Sequence, residues 1–284
     1  MIELHCHSNA SDGSLTPTEL VELAHKNGIT DLALTDHDSI AGIAEAEAAA
    51  APLGMNIIPG TELSCEFGSG ELHIVGLFID TKCPALKQFY DDLYQYRLNR
   101  NKQLLAHLQN IGIDISEEEV TEGGKDFGTV GRPNFARVIT QKGYTKNIFA
   151  AFDTYLSNAV LTDVKRIKIT DRQAIDMIHQ AGGIAILAHP SQTGVHPYKD
   201  LLMFVTDLKE KGLDGMEVYY NGYKNKSIKQ YRKIANHCGL LLSGGSDFHA
   251  YDKGAIANLG YYGAEKPIPD ELVEIMRGYI ANKK

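Results

Sequence analysis

Seven short apolar runs alternate with stretches of helical periodicity, and that rhythm restricts the chain to very few architectures. The runs are Ile2–His7, Asp31–Thr35, Asn56–Glu62, Leu72–Ile79, Ile184–Ala188, Leu213–Tyr219 and Leu240–Ser246. Helical patterns occupy Thr18–Lys26, Ile40–Pro52, Arg172–Gln180, Lys199–Lys211 and Ser227–His237. Such alternation builds βα units around a largely parallel sheet. Most of the helical patterns run into a glycine (Gly28, Gly54, Gly182, Gly212, Gly239) just before the next strand, where a left-handed residue ends a helix at low cost. Thr16 or Thr18 can cap the first helix, with Pro17 in its opening turn. With 284 residues, 43% of them hydrophobic, the chain suits one such α/β domain carrying an insertion.

The rhythm breaks between about Ala85 and Val164. This stretch is helical and more charged, with Tyr90, Tyr94, Tyr96, Arg97 and Arg100 in its first helix. It is predicted to be a helical insertion of residues 85–164, leaving 1–84 and 165–284 as the α/β barrel. The formal charge of −8 argues against a broad surface for duplex nucleic acid. A phosphorylated substrate would need local positive charge. Cys6, Cys65, Cys83 and Cys238 are widely spaced, without a CxxC pair, and read as reduced thiols. No apolar run reaches membrane-spanning length, and charged or imidazole groups begin at Glu3 and His5, which leaves no room for a leader. A cytoplasmic location is expected.

The chemistry sits at strand ends. In His5-Cys6-His7, alternate residues share a face, so both imidazoles project together, about 6.6 Å apart at about 3.3 Å per residue. Asp12 follows in the loop. Thr35-Asp36-His37-Asp38 ends the second strand, Glu62 the third; His73 lies in the fourth. His189 follows the fifth strand in Ala188-His189-Pro190, and Asp247 and His249 follow the last in Ser246-Asp247-Phe248-His249. The C-terminal strand ends of a parallel barrel share one rim. Six histidines, two aspartates and a glutamate there are a costly polar collection unless they hold ions. The remaining histidines, His25, His107, His179, His196 and His237, lie in helical patterns or a loop and read as structural.

These motifs resemble those of the PHP (polymerase and histidinol phosphatase) superfamily: HxH with a following SDG, TDHD, GxE, a later His, AHP and SDxH, in that order over nearly the whole chain. The resemblance implies a distorted seven-stranded β/α barrel with a helical insertion domain. It also implies three divalent ions. His5, His7, Glu62 and Asp247 would hold the first, Glu62, His73 and His189 the second, and Asp12, His37 and His249 the third. Imidazole and carboxylate donors suit Mn2+, Zn2+ or Fe2+.

Neither GxSxG nor another convincing nucleophile setting is present, so attack by a metal-bound hydroxide is expected. Three such ions against three ligand carboxylates would leave the site positive enough for a phosphate dianion. Asp36 and Asp38 are orienting candidates, Asp36 alternatively a general acid. Glu217 is either similar or a solvated rim charge. Within the insertion, Arg97-Leu98-Asn99-Arg100-Asn101 and Gly131-Arg132-Pro133-Asn134-Phe135-Ala136-Arg137 resemble the cap of family members acting on nucleotides. Arg132 and Asn134 are then the expected phosphate-binding residues, with Arg137 supporting its helix. Relatives often carry His where this chain has Asn134. They also tend to have a Gly-Lys-Pro-rich turn where it reads Ser157-Asn158-Ala159-Val160.

The expected activity is phosphoester hydrolysis on a nucleotide: removal of the 3′-phosphate from nucleoside 3′,5′-bisphosphates, together with 5′–3′ exonuclease action on short oligonucleotides. The alternatives are a histidinol-phosphate-type phosphatase, a non-catalytic metal-binding PHP module, and a metal-dependent amidohydrolase. The Arg-bearing insertion speaks against the first, the full ligand set against the second, and the absence of a strand-end lysine for carbamylation against the third.

Overall fold

The computed structural model describes residues 1–68, 70–122, 124, 126–157, 160, 161, 164, 169–249, 259–263 and 266–283. Asn158 and Ala159 of the divergent turn, and Lys165 at the expected insertion boundary, lie outside them. Contacts divide the chain into two compact units, Met1–Lys87 with Lys168–Lys284, and Gln88–Ile167.

In the first unit seven strands stand side by side in chain order: β1 Ile2–Cys6, β2 Asp31–Leu34, β3 Asn56–Cys65, β4 Leu72–Leu77, β5 Ile184–Leu187, β6 Gly215–Tyr220 and β7 Leu241–Gly245. Around them pack α1 Pro17–Lys26, α2 Ile43–Ala50 and four helices of the C-terminal part. The sheet nearly closes. The amide of Asp247 donates to the His5 carbonyl (2.9 Å) and that of His7 to the Phe248 carbonyl (2.9 Å), so the chain after β7 pairs with β1 in parallel. The strands are almost wholly buried, as expected where both faces are covered. Thr16 caps α1: its hydroxyl accepts from the Glu19 amide (3.1 Å), and Glu19 accepts from the Thr16 amide (2.8 Å).

Two differences from the sequence reading bear on the site. β3 continues past Glu62 to Cys65; its first half pairs with β2 in parallel and its second half with β4 antiparallel. β4 is antiparallel to both neighbours. His73, near its beginning, therefore reaches the same rim as the ends of the other strands. The third difference is a C-terminal helix that periodicity did not single out.

The remaining elements, in chain order, are α3 Pro84–Asn110, α4 Glu117–Val120, α5 Arg132–Gln141, α6 Ile148–Ala151, α7 Asp171–Gln180, α8 Tyr198–Glu210, α9 Asn225–His237 and α10 Glu271–Lys283, with a two-residue pair β8 Tyr261–Tyr262 and β9 Lys266–Pro267. The second unit has its own apolar core, in which Leu104, Leu108, Phe127, Phe135 and Val138 meet. Buried Asn101 donates to the carbonyls of Phe127 (2.6 Å) and Val130 (3.0 Å), fixing the turn before α5. Among the described residues no helix is long and apolar enough to cross a membrane.

Asp214, just before β6, anchors α10. It accepts from Tyr279 Oη (2.7 Å), Lys283 Nζ (2.6 Å) and the Ala185 amide (2.9 Å), with His179 Nε2 at 2.7 Å. Burial opposes its charge, but these partners, His179 foremost, hold the carboxyl well below its ordinary range. Its stabilisation is therefore complete above about pH 4 and is lost as the pH falls towards the depressed folded value. Asp214→Ala should cost about 2 kcal/mol and flatten the acid limb of a stability-against-pH curve. An unchanged limb would show that the cluster does not anchor the helix.

Candidate metal centre

Glu62 occupies the middle of the rim, fully buried. Its Oε1 lies 2.9 Å from His73 Nδ1 and 2.8 Å from His189 Nε2. Its Oε2 lies 3.0 Å from His37 Nδ1 and 3.3 Å from both His5 Nε2 and His7 Nε2. Five imidazoles thus converge on one carboxylate. Asp247 Oδ1 stands beside them, 3.1 Å from His7 Nε2 and 3.4 Å from His5 Nε2. Asp12 faces His249 Nε2 (3.3 Å) and His37 Nε2 (3.8 Å).

All nine side chains singled out from the sequence meet here. Their donor atoms form three overlapping groups, the atoms of each lying within 4.8 Å of one another: His5, His7, Glu62 and Asp247; His37, Glu62 and His73; His7, Asp12, His37 and His249. The division differs from the one the resemblance implied. His37 spans two groups because its nitrogens face Glu62 and Asp12 separately, and His7 also joins the Asp12 group. His189 attaches through Glu62.

Several of these buried atoms have no hydrogen-bond partner among the described residues: His5 Nε2, both nitrogens of His7, His37 Nδ1, Glu62 Oε2 and Asp247 Oδ1. Orphaned polar atoms are rare in a folded interior. Gathered in one place and aimed at one another, they form a donor set for cations. Electrostatics point the same way. Burial opposes the charge on Glu62, but His37, His5 and His73 hold its carboxyl well below the usual range. Burial likewise works against a charged His37, yet Glu62 lifts it to about 9. His7, desolvated and beside His37, is pushed down to about 3.

The backbone is shaped to match. Asp38, His189 and Asp247 adopt positive φ of 44°, 23° and 53°, sparsely populated conformations that concentrate at functional sites. Gly245 lies flat against β1; a Cβ there would come 2.2 Å from His5 Cβ. A Cβ at Gly13 of the SDG turn would come 2.5 Å from the His7 carbonyl oxygen, and its absence lets the Asp12 loop fold onto the strand.

A second layer aims the donors. Asp36 accepts from the Ser8 amide (2.8 Å), Ser8 Oγ (2.7 Å) and Ser11 Oγ (2.6 Å), so its oxygens organise the loop carrying Asp12. Asp38 accepts from the Ser64 amide (2.9 Å). Glu217, left open between an orienting group and a solvated charge, is buried. It lies 2.8 Å from His5 Nδ1 and accepts from the His189 amide (2.6 Å). A carboxylate on Nδ1 fixes the tautomer that turns the Nε2 lone pair inward. The apolar neighbours of Glu217 in Met216-Glu217-Val218 were the signal for its burial. Tyr220 was missed. Its hydroxyl donates to Asp247 Oδ2 (2.7 Å) and accepts from Gln192 Nε2 (3.0 Å), leaving Oδ1 to face His5 and His7. Nothing local in the sequence marks it.

Arg132 and Asn134 belong to the second unit. Arg132 opens α5 and donates to the Leu156 carbonyl (2.9 Å), with its guanidinium 5.9 Å from the Phe152 ring centre. Asn134 Oδ1 accepts from the Gly131 amide (3.0 Å), closing the first turn. Arg137 pairs with Glu122 (3.1 Å) and donates to the Glu119 carbonyl (3.1 Å), a helix-supporting role.

If Tyr220 aims Asp247, Tyr220→Phe should weaken divalent-metal affinity by about tenfold or more while leaving the fold intact. Titrating Mn2+ into the variant and following the rise in Tm reads this directly. Equal rises in variant and wild type would remove Tyr220 from the site.

The PHP domain family matches residues 3–281. A 5′-3′ exoribonuclease of Haemophilus influenzae is 38% identical over 252 residues, covering 87% of this chain and 89% of its own. A 3′,5′-nucleoside bisphosphate phosphatase of Chromobacterium violaceum is 35% identical over 254 residues, 89% of this chain and 88% of its own. Among solved structures, an amidohydrolase from Chromobacterium violaceum, with bound sulfate and no metal, superposes with a TM-score of 0.80 at 33% identity, covering 96% of each chain. Both the motifs and these matches run through the whole fold, and the chain belongs to the PHP domain family.

Proposed function

We propose that the rim cluster holds three divalent cations, Mn2+, Zn2+ or Fe2+, and that the protein hydrolyses phosphate esters of nucleotides. The substrates proposed are the 3′-phosphate of nucleoside 3′,5′-bisphosphates and the 5′ end of short oligonucleotides. The observation that carries this reading is the set of buried, mutually facing imidazole and carboxylate atoms without hydrogen-bond partners among the described residues. Full burial of that many donors is unfavourable unless cations satisfy them. Relatives at 38% and 35% identity carry the two activities in their names. The sulfate in the Chromobacterium violaceum structure is a tetrahedral anion of phosphate-like shape.

Bound ions would supply activated water near neutral pH and offset phosphate charge. The chain's own residues do the rest. Glu62 would be shared between cations, since its two oxygens face different imidazoles. Glu217 keeps the His5 Nε2 lone pair inward, Tyr220 turns Asp247 Oδ1 inward, and Asp36 holds the loop that carries Asp12. With both oxygens committed to Ser8 and Ser11, Asp36 suits an orienting role better than that of a general acid. Arg132 and Asn134 are proposed to bind substrate phosphate. The four free cysteines fit a cytoplasmic location.

The test is phosphate release with Mn2+ from adenosine 3′,5′-bisphosphate, histidinol phosphate and a dihydropyrimidine amide. Turnover of the bisphosphate is expected. Release from no phosphorylated substrate would sink the assignment, and turnover of the amide alone would move the protein to amide chemistry. His7→Ala and Asp247→Ala should each lower kcat by about a thousandfold or more in a folded protein. Arg132→Ala should raise KM about tenfold with little change in kcat, the loss of one charge-assisted phosphate contact; unchanged kinetics would remove it as a phosphate ligand.

A further inference from the structure

Residues 218–246, between the rim residues Glu217 and Asp247, contain no aspartate or glutamate, although the chain as a whole carries 36. The same stretch holds Lys224, Lys226, Lys229, Arg232 and Lys233, all exposed and all on α9 or its N-terminal flank. Elsewhere the described cations are commonly paired: Arg137 with Glu122, Lys142 with Asp114 and Glu119, Arg172 with Asp176, Lys211 with Asp171 and Asp207. Among the described residues none of the five on α9 makes an ion pair. Arg232 and Lys233 instead lie 5.9 Å and 5.8 Å from the ring centres of Tyr219 and Tyr198.

The helix is amphipathic in the ordinary way. Tyr231, Ile234 and Ala235 are buried, while Lys226, Lys229 and Lys233 follow the i, i+3, i+7 spacing that shares a face. What is unusual is the uniform sign of the outward side in a chain of net charge −8. Thirteen residues span about 20 Å, too long for a single phosphate, with a cation roughly every turn.

The start of this helix is fixed to the metal rim. β6 ends at Tyr220, whose hydroxyl touches Asp247. Three residues on, Tyr223 Oη donates to Ser191 Oγ (3.1 Å) and accepts from the Ser191 amide (3.2 Å), two positions beyond His189. The basic face therefore begins beside the proposed ligands and runs away from them. We infer that it binds the sugar–phosphate backbone of a single-stranded oligonucleotide whose terminal nucleotide lies at the metal centre. This inference rests on the nucleotide reading above and assigns the part of the substrate that does not react. A mononucleotide is too short to use it.

Two measurements on Lys226→Gln/Lys229→Gln, made with Mn2+ present, test it. The first is anisotropy of a labelled ten-nucleotide RNA with phosphorothioate linkages, titrated at several salt concentrations. The second is kcat/KM on adenosine 3′,5′-bisphosphate. Loss of two phosphate contacts should reduce the slope of log affinity against log salt by about 1.4 and weaken RNA binding about tenfold at low salt, with bisphosphate turnover unchanged. Unchanged RNA affinity and slope would overturn the inference. So would an equal loss of bisphosphate turnover, which would place the lysines at the reacting nucleotide. Polyglutamate binding as tightly as the RNA, with the same loss in the variant, would overturn it in favour of an acidic protein partner. Should the wild type release no phosphate from any nucleotide, the activity assignment fails, and the RNA titration still decides whether the helix binds nucleic acid.

Discussion

A carboxylate with no exposure to water, contacted by five imidazoles, is the constraint around which the barrel is organised. An isolated buried charge costs several kcal/mol, and Glu62 is tolerated because positive charge surrounds it. Protonated imidazoles could supply that charge only in part. Burial drives His7 towards neutrality, to about 3, while Glu62 draws a proton to His37 up to about 9. Two rings whose centres are 4.5 Å apart thus respond in opposite directions. Such a cluster is frustrated as a hydrogen-bonded network and has the donor chemistry of a metal site.

The distortions of the barrel serve that arrangement. Extending β3 past Glu62 and turning back into antiparallel β4 brings His73 into register opposite Ser64, a short reach from Glu62. Closure between β1 and the chain after β7 joins the first motif to the last. Another buried carboxylate reinforces the seam. Glu3 accepts from the amides of His5 (2.9 Å), Ser246 (3.0 Å) and Gly260 (2.7 Å), and burial raises its pKa. Glu3 thus aligns the backbone on both sides of the site without touching a donor atom. Glu217 and Tyr220, both on β6, then aim donors contributed by β1 and by the segment after β7.

Much of this was legible from the chain alone. Strand ends bearing His, Asp and Glu are recognisable because β periodicity is short and the barrel rim is shared, so seven strands and nine rim residues could be named without coordinates. Direction was not legible. Nothing in Leu72–Ile79 says that the strand runs antiparallel, since a strand buried on both faces reads the same either way. Nor was the end of β3, because the charge at Glu62 interrupts the apolar run and the three residues Leu63, Ser64 and Cys65 are too few to read as strand by themselves. The helix Glu271–Lys283 escaped notice because its buried side chains, Leu272, Val273 and Met276, make a narrow stripe interrupted by exposed Ile275. Tyr220 and the uniform sign of α9 gain meaning only from what lies beside them in space. Periodicity therefore located the rim side chains, while the groups that aim them had to be seen folded.

The central claim is that Glu62 is buried because divalent cations sit between it and its imidazoles. Anomalous diffraction at the manganese edge, from crystals equilibrated with Mn2+, tests this without reference to any substrate. Peaks between Glu62 and the surrounding His and Asp donor atoms, with Glu62 shared by two of them, are the predicted result. A map without a peak inside the ring of histidines, at saturating Mn2+ and with the side chains unmoved, would contradict it and leave Glu62 as the hub of a hydrogen-bonded network.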